Sequence, residues 1–285
     1  MNLQTNIIPT ILALEPKYHL EMIERVLNAR EKSATHIIKA FDDDEDEKEP
    51  WWKSQDMYGE PLPCPQKMGN VAILPIKGII GYNYPQIFRS FGICDIKQIH
   101  QWVDAVENDA EINTVIFHID SPGGSVVGLP EIAERVSKLS ETKNTIAFTE
   151  TQMCSAAYYI GSQCNRVVVT PSADVGSIGT YMCLYDYTKM LDEIGIKAEL
   201  IKNGTLKAIG AMGVPLTDEQ RAYLQQQVDL ITAGFKTAVT SKRTKVSDDT
   251  MQGQSFMGIE AINNGLATGL VNRFSELLGS LTLKI

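Results

Sequence analysis

From residue 69 onward, continuous apolar runs alternate with stretches in which apolar residues recur at helical spacing. Short continuous apolar runs are typical of strands buried on both faces of a sheet. Apolar residues that recur every three or four positions predict helices, and Asp95 and Thr217 stand as N-caps before two of them. The predicted strands are 71–76, 115–119, 145–148, 166–169 and 197–201. The predicted helices are 95–107, 129–139, one that opens near Ser155, 187–194 and 217–241.

This alternation predicts an α/β fold in which helices cover a mostly parallel sheet. A chain of 285 residues is long enough for one such domain and an appendage. The predicted parts are an N-terminal helical extension at 1–41, an acidic and Pro-rich linker at 42–68, a folded body at 69–278 and a C-terminal tail at 279–285. Within the extension, the spacing of apolar residues predicts a helix over 18–31.

The formal net charge of −9 is concentrated in one acidic run. Residues 42–49 hold seven acids and one base and so contribute −6, which leaves −3 for the rest of the chain. Blocks of like charge resist packing, so this run is interpreted as a solvated spacer. An acidic chain without clustered Lys or Arg is not expected to bind nucleic acid or an anionic membrane surface.

The cysteine pattern and the apolar run near the N-terminus indicate the cellular compartment of the protein. Five cysteines occur, an odd number without the spacing of a zinc site: Cys64, Cys94, Cys154, Cys164 and Cys183. They are interpreted as unbridged thiols of a reducing compartment, and neither a metal nor a cofactor is expected. The apolar run 7–14 is short, contains Pro9 and lacks a basic flank, so we expect no signal peptide, no membrane span and a cytoplasmic protein.

The first motif that could take part in catalysis lies between a predicted strand and a helix: Asp120-Ser121-Pro122-Gly123-Gly124-Ser125. Glycine permits positive φ and lets a substrate backbone approach closely. Backbone N–H groups freed at such a turn can stabilise an oxyanion. A plain strand-to-helix turn would use Gly-Gly equally well, so the motif alone leaves both interpretations open.

Ser155 lies at a second strand-to-helix junction, before small residues and an apolar helix. That position presents a hydroxyl at a helix N-terminus, where the partial positive charge favours a nearby anion. Serine is also a very common N-cap residue, and the motif by itself favours that interpretation.

A Ser-His-Asp triad would need a histidine, and none of the four suits the role. His19 and His36 lie outside the predicted body, His118 lies inside an apolar strand, and His100 lies on an early amphipathic helix. A lysine can replace histidine as the base when burial lowers its pKa. The downstream candidates are Lys189, Lys197, Lys202 and Lys207. Lys207 lies in a Gly-bounded segment of small and apolar residues, although a surface lysine is the usual case.

Five motifs follow one another in order: 120–124, 155–160, 176–179, 202–204 with Lys207, and 258–266. Over roughly 69–278 the chain thereby resembles the signal peptide peptidase family of serine peptidases, which also includes phage head-maturation proteases. The resemblance implies a Clp protease/crotonase-like fold of repeated β-β-α units.

The resemblance also assigns roles to single residues. It implies that Ser155 is the nucleophile and that Lys207, 52 positions downstream, is the general base. It implies that Ser177, 22 positions after the nucleophile, orients the lysine. It places the oxyanion hole at the amides of Gly123 and Ala156.

The chain departs from the family pattern at the nucleophile. It has Cys154-Ser155-Ala156-Ala157 where Ala-Ser-Gly-Gly is common. Alanine keeps these positions small but reduces backbone freedom, and Cys154 raises a thiol nucleophile as a second hypothesis. Membrane-anchored members carry an N-terminal spanning helix, which this sequence lacks, so the soluble, phage-associated branch is favoured.

The expected function is a serine endopeptidase that cleaves unfolded or extended polypeptides through an acyl-enzyme. It would serve as a phage or prophage head-maturation protease, with capsid or scaffold proteins as partners, or as a soluble signal-peptide-peptidase-like protease. The resemblance implies a homo-oligomeric ring or dome whose subunits complete each other's sites. Two other functions stay open: a crotonase-like acyl-CoA enzyme, and a non-catalytic capsid assembly protein on the same scaffold.

Overall fold

Short strands and helices alternate along the described part of the chain, which in this computed structural model is residues 12–14, 63–84, 88 and 92–282. The strands are β1 (Leu12–Leu14), β2 (Gln66–Met68), β3 (Val71–Lys77), β4 (Ile79–Gly81), β5 (Ile93–Asp95), β6 (Thr114–Asp120), β7 (Gly123–Ser125), β8 (Asn144–Thr149), β9 (Gln152–Cys154), β10 (Arg166–Val169), β11 (Asp174–Gly176), β12 (Ser255–Met257) and β13 (Gly269–Leu270). The helices are α1 (Ile96–Asn108), α2 (Leu129–Thr142), α3 (Ala156–Gly161), α4 (Thr188–Glu193), α5 (Asp218–Lys242), α6 (Gly258–Asn263) and α7 (Phe274–Thr282).

A six-stranded sheet with the order β13-β10-β8-β6-β3-β2 forms the centre of the fold. Its neighbouring strands are parallel, except that β2 runs antiparallel to β3 at one edge. The inner strands are continuous apolar runs because both faces of this sheet are covered. The mostly parallel α/β sheet predicted from the sequence is confirmed.

The chain repeats one unit of two strands and a helix. The first strand of each unit, β3, β6, β8 or β10, lies in the central sheet. The second, β4, β7, β9 or β11, leaves it and joins one of two smaller sheets, β1-β7-β4-β5 or β12-β11-β9. Helices α1, α2 and α3 follow the first three pairs, which is the β-β-α repeat of the predicted Clp protease/crotonase-like fold.

The core has one large and one small apolar cluster on the two faces of the central sheet. The large cluster joins α1, α2 and α3 to the strands, and the small one packs Phe148 and Ile116 against Leu277 of α7. Phe148 is fully buried. Truncation of such a side chain to alanine typically costs about 3–5 kcal/mol of the free energy of unfolding.

Both predicted N-caps are present. The Asp95 carboxylate accepts a hydrogen bond from the amide of Lys97 at the start of α1. At α5 the hydroxyl of Thr217 accepts from the amide of Gln220, whose side chain in turn accepts from the amide of Thr217. These caps satisfy amides that a helix leaves without partners, so both helices begin where the sequence predicts.

One predicted element is wrong, and others differ at their limits. Residues 197–201 form no strand, because all five are exposed and no described strand lies beside them to pair with. Residues 66–68, at the end of the predicted linker, form β2 in the central sheet, and residues 279–282 of the predicted tail continue α7. The predicted helix at 18–31 and the acidic run at 42–49 lie outside the described residues.

Candidate active site

Three turns meet where β6, β8 and β10 leave the central sheet. The amide of Ser121, after β6, donates to the carbonyl of Gln152 at 3.0 Å, and the amide of Cys154 donates back to the carbonyl of Ser121 at 3.1 Å. The amide of Ser155 then donates to the carbonyl of Gly176 at 2.7 Å. The Gly-Gly turn, the Ser155 junction and the end of β11 are therefore fixed to one another through backbone hydrogen bonds.

Ser155 has an unusual backbone for a non-glycine residue, with φ 54° and ψ −120°. Such conformations cost about 1–3 kcal/mol and persist only where the surroundings hold them. The side chain is almost completely buried and makes no capping hydrogen bond to α3, so the plain N-cap interpretation is wrong. A nucleophile elbow likewise places its serine on a strained turn between a strand and a helix.

Ser177 lies beside Ser155. Strands β9 and β11 are parallel, and their register pairs Cys154 with Gly176, so the two serines follow at adjacent strand ends. Ser177 also has a positive φ, 52°, and its amide donates to the carbonyl of Gln254 at 2.8 Å. The structure thus brings together two buried serines that are 22 positions apart in the chain.

Gly123 and Ala156 are the first residues of β7 and α3. Gly123 begins β7 with φ 103°, and its amide donates to the Ser121 hydroxyl at 3.2 Å. Ala156 is buried and is the first residue of α3, where helical amides have no partner within the helix. The next residue of β7, Gly124, lies so close to β4 that a Cβ would stand 1.9 Å from the carbonyl oxygen of Ile80. Glycine is therefore required at that position.

Lys207 lies in the segment between α4 and α5 and is exposed. Its ammonium makes no hydrogen bond to Ser155 or Ser177, all three being described residues. The segment is fastened to the start of α5, because the carbonyl of Thr205 accepts from the Gln220 side chain at 3.1 Å. The burial expected for this lysine is not supplied by the chain's own fold.

An apolar cavity of about 330 Å³ lies between residues that follow these turns in the chain and helix α5. Its walls continue directly from the three turns: Val126 follows β7, Tyr159 lies one helical turn after Ser155, and Thr180 lies shortly after Ser177. The remaining lining residues are Leu129, Pro130, Leu230, Ile231, Gly234 and Phe235. Tyr159 stacks on Phe235 with ring centroids 4.6 Å apart, which fixes α3 against α5.

The two described histidines, His100 and His118, make no hydrogen bond to Ser155 or Ser177, which are also described residues. His118 stacks on Phe274 at 4.6 Å, next to the small apolar cluster, and its Nε2 lies 3.9 Å from a carboxylate oxygen of Glu150. Burial lowers the pKa of His118 and also that of His100 on α1. Neither side chain takes part in the hydrogen bonds that join the three turns.

The cysteines, all of which the structure describes, form no disulfide. The thiol of Cys154 is buried and donates to the carbonyl of Asp174 at 3.6 Å, toward β11. Burial raises the pKa of the Cys164 thiol to about 12. In the described ranges no group of three or more His, Cys, Asp or Glu side chains could hold a metal ion.

Sequence reasoning missed Ser121 and the wall of the cavity. Ser121 was visible inside the Gly-Gly motif, but only the fold shows its hydroxyl accepting from Gly123. Phe235 and Thr180 belong to elements far apart in the chain, so no local pattern could have grouped them with Tyr159.

None of the helices within the described residues combines the length and the apolar character needed to cross a membrane.

Comparison with known proteins places this site in a family. The family described as "Peptidase family S49" matches residues 137–277, a span that includes Ser155, Ser177 and Lys207. The head-tail preconnector protein GP5 of Enterobacteria phage P21 is 29% identical over 208 residues, which are 72% of this chain and 41% of that protein. The capsid assembly protease C of Escherichia phage lambda is 29% identical over 210 residues, 73% of this chain and 48% of that protein.

A cellular relative, the putative signal peptide peptidase SppA of Enterococcus faecium, is 26% identical over 166 residues, 56% of this chain and 48% of that protein. The aligned part thus spans less than half the length of each of these relatives. The motif resemblance to the signal peptide peptidases and the phage head proteases is confirmed, and the chain carries a domain of peptidase family S49.

Proposed function

We propose that this protein is a serine endopeptidase that uses Ser155 as nucleophile and Lys207 as general base. The observation that carries the proposal is the strained, buried Ser155, whose hydroxyl does not cap its helix although it stands at the helix start. A serine that only stabilised the fold would not need this strained backbone, whereas the serine of a nucleophile elbow does.

The reaction proceeds through an acyl-enzyme. The Lys207 amine accepts the Ser155 proton as Oγ attacks the scissile carbonyl, and the oxyanion is held by the amides of Gly123 and Ala156. The bond from Gly123 to the Ser121 hydroxyl is long, so that amide can exchange it for the charged oxygen. Lys207 then gives its proton to the leaving amine, and water, activated by the same lysine, releases the acyl group. Ser177 orients the lysine between these steps.

A second copy of the chain completes the site in this proposal. Large apolar side chains stand exposed in the segment between α4 and α5 that holds Lys207, and we call this set the apolar band: Ile194, Ile196, Ile201 and Met212. Ile201 is 92% exposed, which is unusual for a residue of its size unless a partner covers it. A neighbouring subunit packed on this band would exclude water from Lys207. The band therefore supports a homo-oligomer, and a ring or dome is the assembly we propose.

The substrate is an extended polypeptide, and the apolar cavity takes the side chain before the cut. Its lining is aliphatic and aromatic, so leucine-sized residues fit it better than charged ones. The phage relatives support a role in head maturation, with capsid or scaffold proteins as substrates or partners and procapsids in the cytoplasm as the setting. A cellular signal-peptide-peptidase-like role is the second candidate, supported by the bacterial relative.

Two non-peptidase functions predict different chemistry. A crotonase-like acyl-CoA enzyme would not need a strained serine beside a second serine, and a non-catalytic capsid assembly protein would not need an activated hydroxyl. Both are distinguished from a peptidase by the reactivity of Ser155 itself.

A fluorophosphonate probe, read by intact mass, tests the proposal. The probe is expected to label wild-type protein once, to leave Ser155→Ala unlabelled, and to label Ser162→Ala fully, since Ser162 is a buried serine bonded to the carbonyl of Tyr159. Absence of labelling, together with a rise in melting temperature on addition of coenzyme A, would contradict the peptidase and favour the acyl-CoA enzyme.

A further inference from the structure

Helix α5 is buried against the rest of the fold mainly through its second half. Of its residues, all of which the structure describes, only Gln220, Phe235 and Val239 are buried. Phe235 stacks on Tyr159 of α3, which fixes the second half of the helix. The stretch 221–234 holds no fully buried residue, so its position depends on few contacts.

A threonine that follows Ser177 is bonded to this stretch. The Thr180 hydroxyl donates to the carbonyl of Val228 at 3.1 Å and lies 2.6 Å from the hydroxyl of Thr232. Because Thr180 has a single hydroxyl proton, Thr232 is then the donor in the shorter bond. Thr180 lies three positions after Ser177, and Ile178 between them is fully buried in the large apolar cluster. These two bonds therefore join the Ser177 turn to the first half of α5.

The same helix holds the Lys207 segment at its N-terminal end. The Gln220 side chain donates to the carbonyl of Thr205 at 3.1 Å, and the Thr205 hydroxyl donates to a carboxylate oxygen of Glu219 at 2.9 Å. Gln220 and Thr232 are 12 positions apart, which is about 18 Å along a helix axis. Helix α5 thus connects the Ser177 turn and the Lys207 segment through two attachment points at a fixed separation.

We propose that Thr180 is a positioning residue, whose bonds to α5 fix the Ser177 turn relative to the segment that carries Lys207. This inference rests on the proposed peptidase function. Thr180 acts through Ser177 rather than on the reacting atoms. Without its hydroxyl the buried residues stay in place, but the first half of α5 takes up a wider range of positions. A smaller fraction of molecules then holds the lysine in a reactive arrangement, so the effect falls on kcat.

Steady-state hydrolysis of fluorescein-labelled casein by full-length variants tests the proposal. Thr180→Val keeps the shape of the side chain but removes both bonds, and it should lower kcat about 10-fold with KM within about 2-fold of wild type. Thr180→Ser retains the hydroxyl and should have kcat near the wild-type value. Thr232→Val removes only one bond and does not alter the cavity wall, so it should lower kcat about 3-fold. This variant decides the question if Thr180→Val does not fold. Added to Thr180→Val, the Thr232→Val change should cause no further loss, because both bonds are already gone.

Thr240→Val is the matched control, since Thr240 lies on the same helix and its hydroxyl donates to the carbonyl of Lys236 at 2.9 Å within that helix. It should keep the wild-type kcat. An equal loss of kcat in Thr240→Val and Thr180→Val would assign the effect to the stability of α5 and overturn the positioning role.

The Ser155→Ala variant separates this inference from the proposed function. If wild type cleaves casein in a Ser155-dependent way and both Thr180→Val and Thr232→Val keep the wild-type kcat, the positioning role is overturned and the peptidase function stands. If wild type cleaves casein no faster than Ser155→Ala, the proposed function fails and this inference fails with it.

Discussion

The amide of Ser155 donates to the carbonyl of Gly176 at 2.7 Å, and this bond fixes the candidate nucleophile beside Ser177. Because β9 and β11 are parallel and in register, the two serines leave adjacent strand ends together. Both have a positive φ, which a non-glycine residue adopts only where its surroundings hold it. The pair is thus built by sheet register rather than by contact between side chains.

Replacement of Ser177 by alanine should lower kcat by about 10- to 100-fold and leave KM nearly unchanged, since an orienting hydroxyl is lost but the substrate contacts stay. Steady-state kinetics on a peptide substrate measures this. Ser172→Ala, an exposed serine in the turn before β11, is the matched control and should behave like wild type. Equal kinetics for both variants would show that Ser177 takes no part in the active site.

Gly234 sets the width of the cavity, since it lines the wall and a Cβ added there meets no atom within 4 Å. Gly234→Leu should fill this space and reduce kcat/KM for substrates with leucine before the cut at least about 10-fold relative to those with alanine. Two peptides that differ only at that residue measure the change. Ala233→Leu adds the same side chain at the neighbouring exposed position outside the cavity wall, and an identical shift there would contradict the assignment.

Gln220 both completes the helix cap of α5 and holds the Lys207 segment through the carbonyl of Thr205. Gln220→Ala should therefore cost about 1 kcal/mol of the free energy of unfolding and also reduce turnover about 10-fold. Thr217→Ala loses the cap but keeps the bond to Thr205, so it should share the stability cost without the loss of turnover. Chemical denaturation and peptide kinetics measure the two effects. Equal turnover in both variants would show that the fastening does not matter for activity.

The pH dependence of stability should report His118, a partly buried histidine beside the small apolar cluster. Burial, with a smaller effect of the positive charge on Lys77, lowers the pKa of His118 below its ordinary value of 6.5. As pH falls, the unfolded chain binds this proton before the folded one, so the free energy of unfolding decreases between 6.5 and the folded-state pKa. His118→Phe should flatten the melting temperature between about pH 7 and pH 5. An unchanged slope in this variant would assign the acid sensitivity to other groups.

Much of this fold could be predicted because long apolar runs and caps are local signals. The strands around Ile116 and Val168 and the helix after Thr217 begin and end close to their predicted limits. The three-residue strands β7, β9 and β11 could not be predicted, since they show no periodicity and exist through pairing with distant strands. The same limit hid the pairing of β1 with β7.

The residues of the candidate site could likewise be predicted only in part. Gly123, Ser155 and Ser177 stand out in motifs, and the structure brings their turns together through backbone hydrogen bonds. The family resemblance and the apolar neighbours in sequence indicate Lys207 as the base. The side chain is exposed in the single chain, so the packing that would bury it does not come from this fold alone. In the proposed function, a neighbouring subunit supplies that packing.

Turnover of an unfolded protein by the Ser155→Ala and Lys207→Ala variants tests the central claim most directly. Casein hydrolysis should fall at least about 10³-fold in each, because a nucleophile and its base act as one unit. Lys197→Ala is the matched control, since Lys197 is an exposed lysine in the same segment between α4 and α5, and it should retain activity near the wild-type level. Wild-type turnover in either the Ser155 or the Lys207 variant would contradict the dyad.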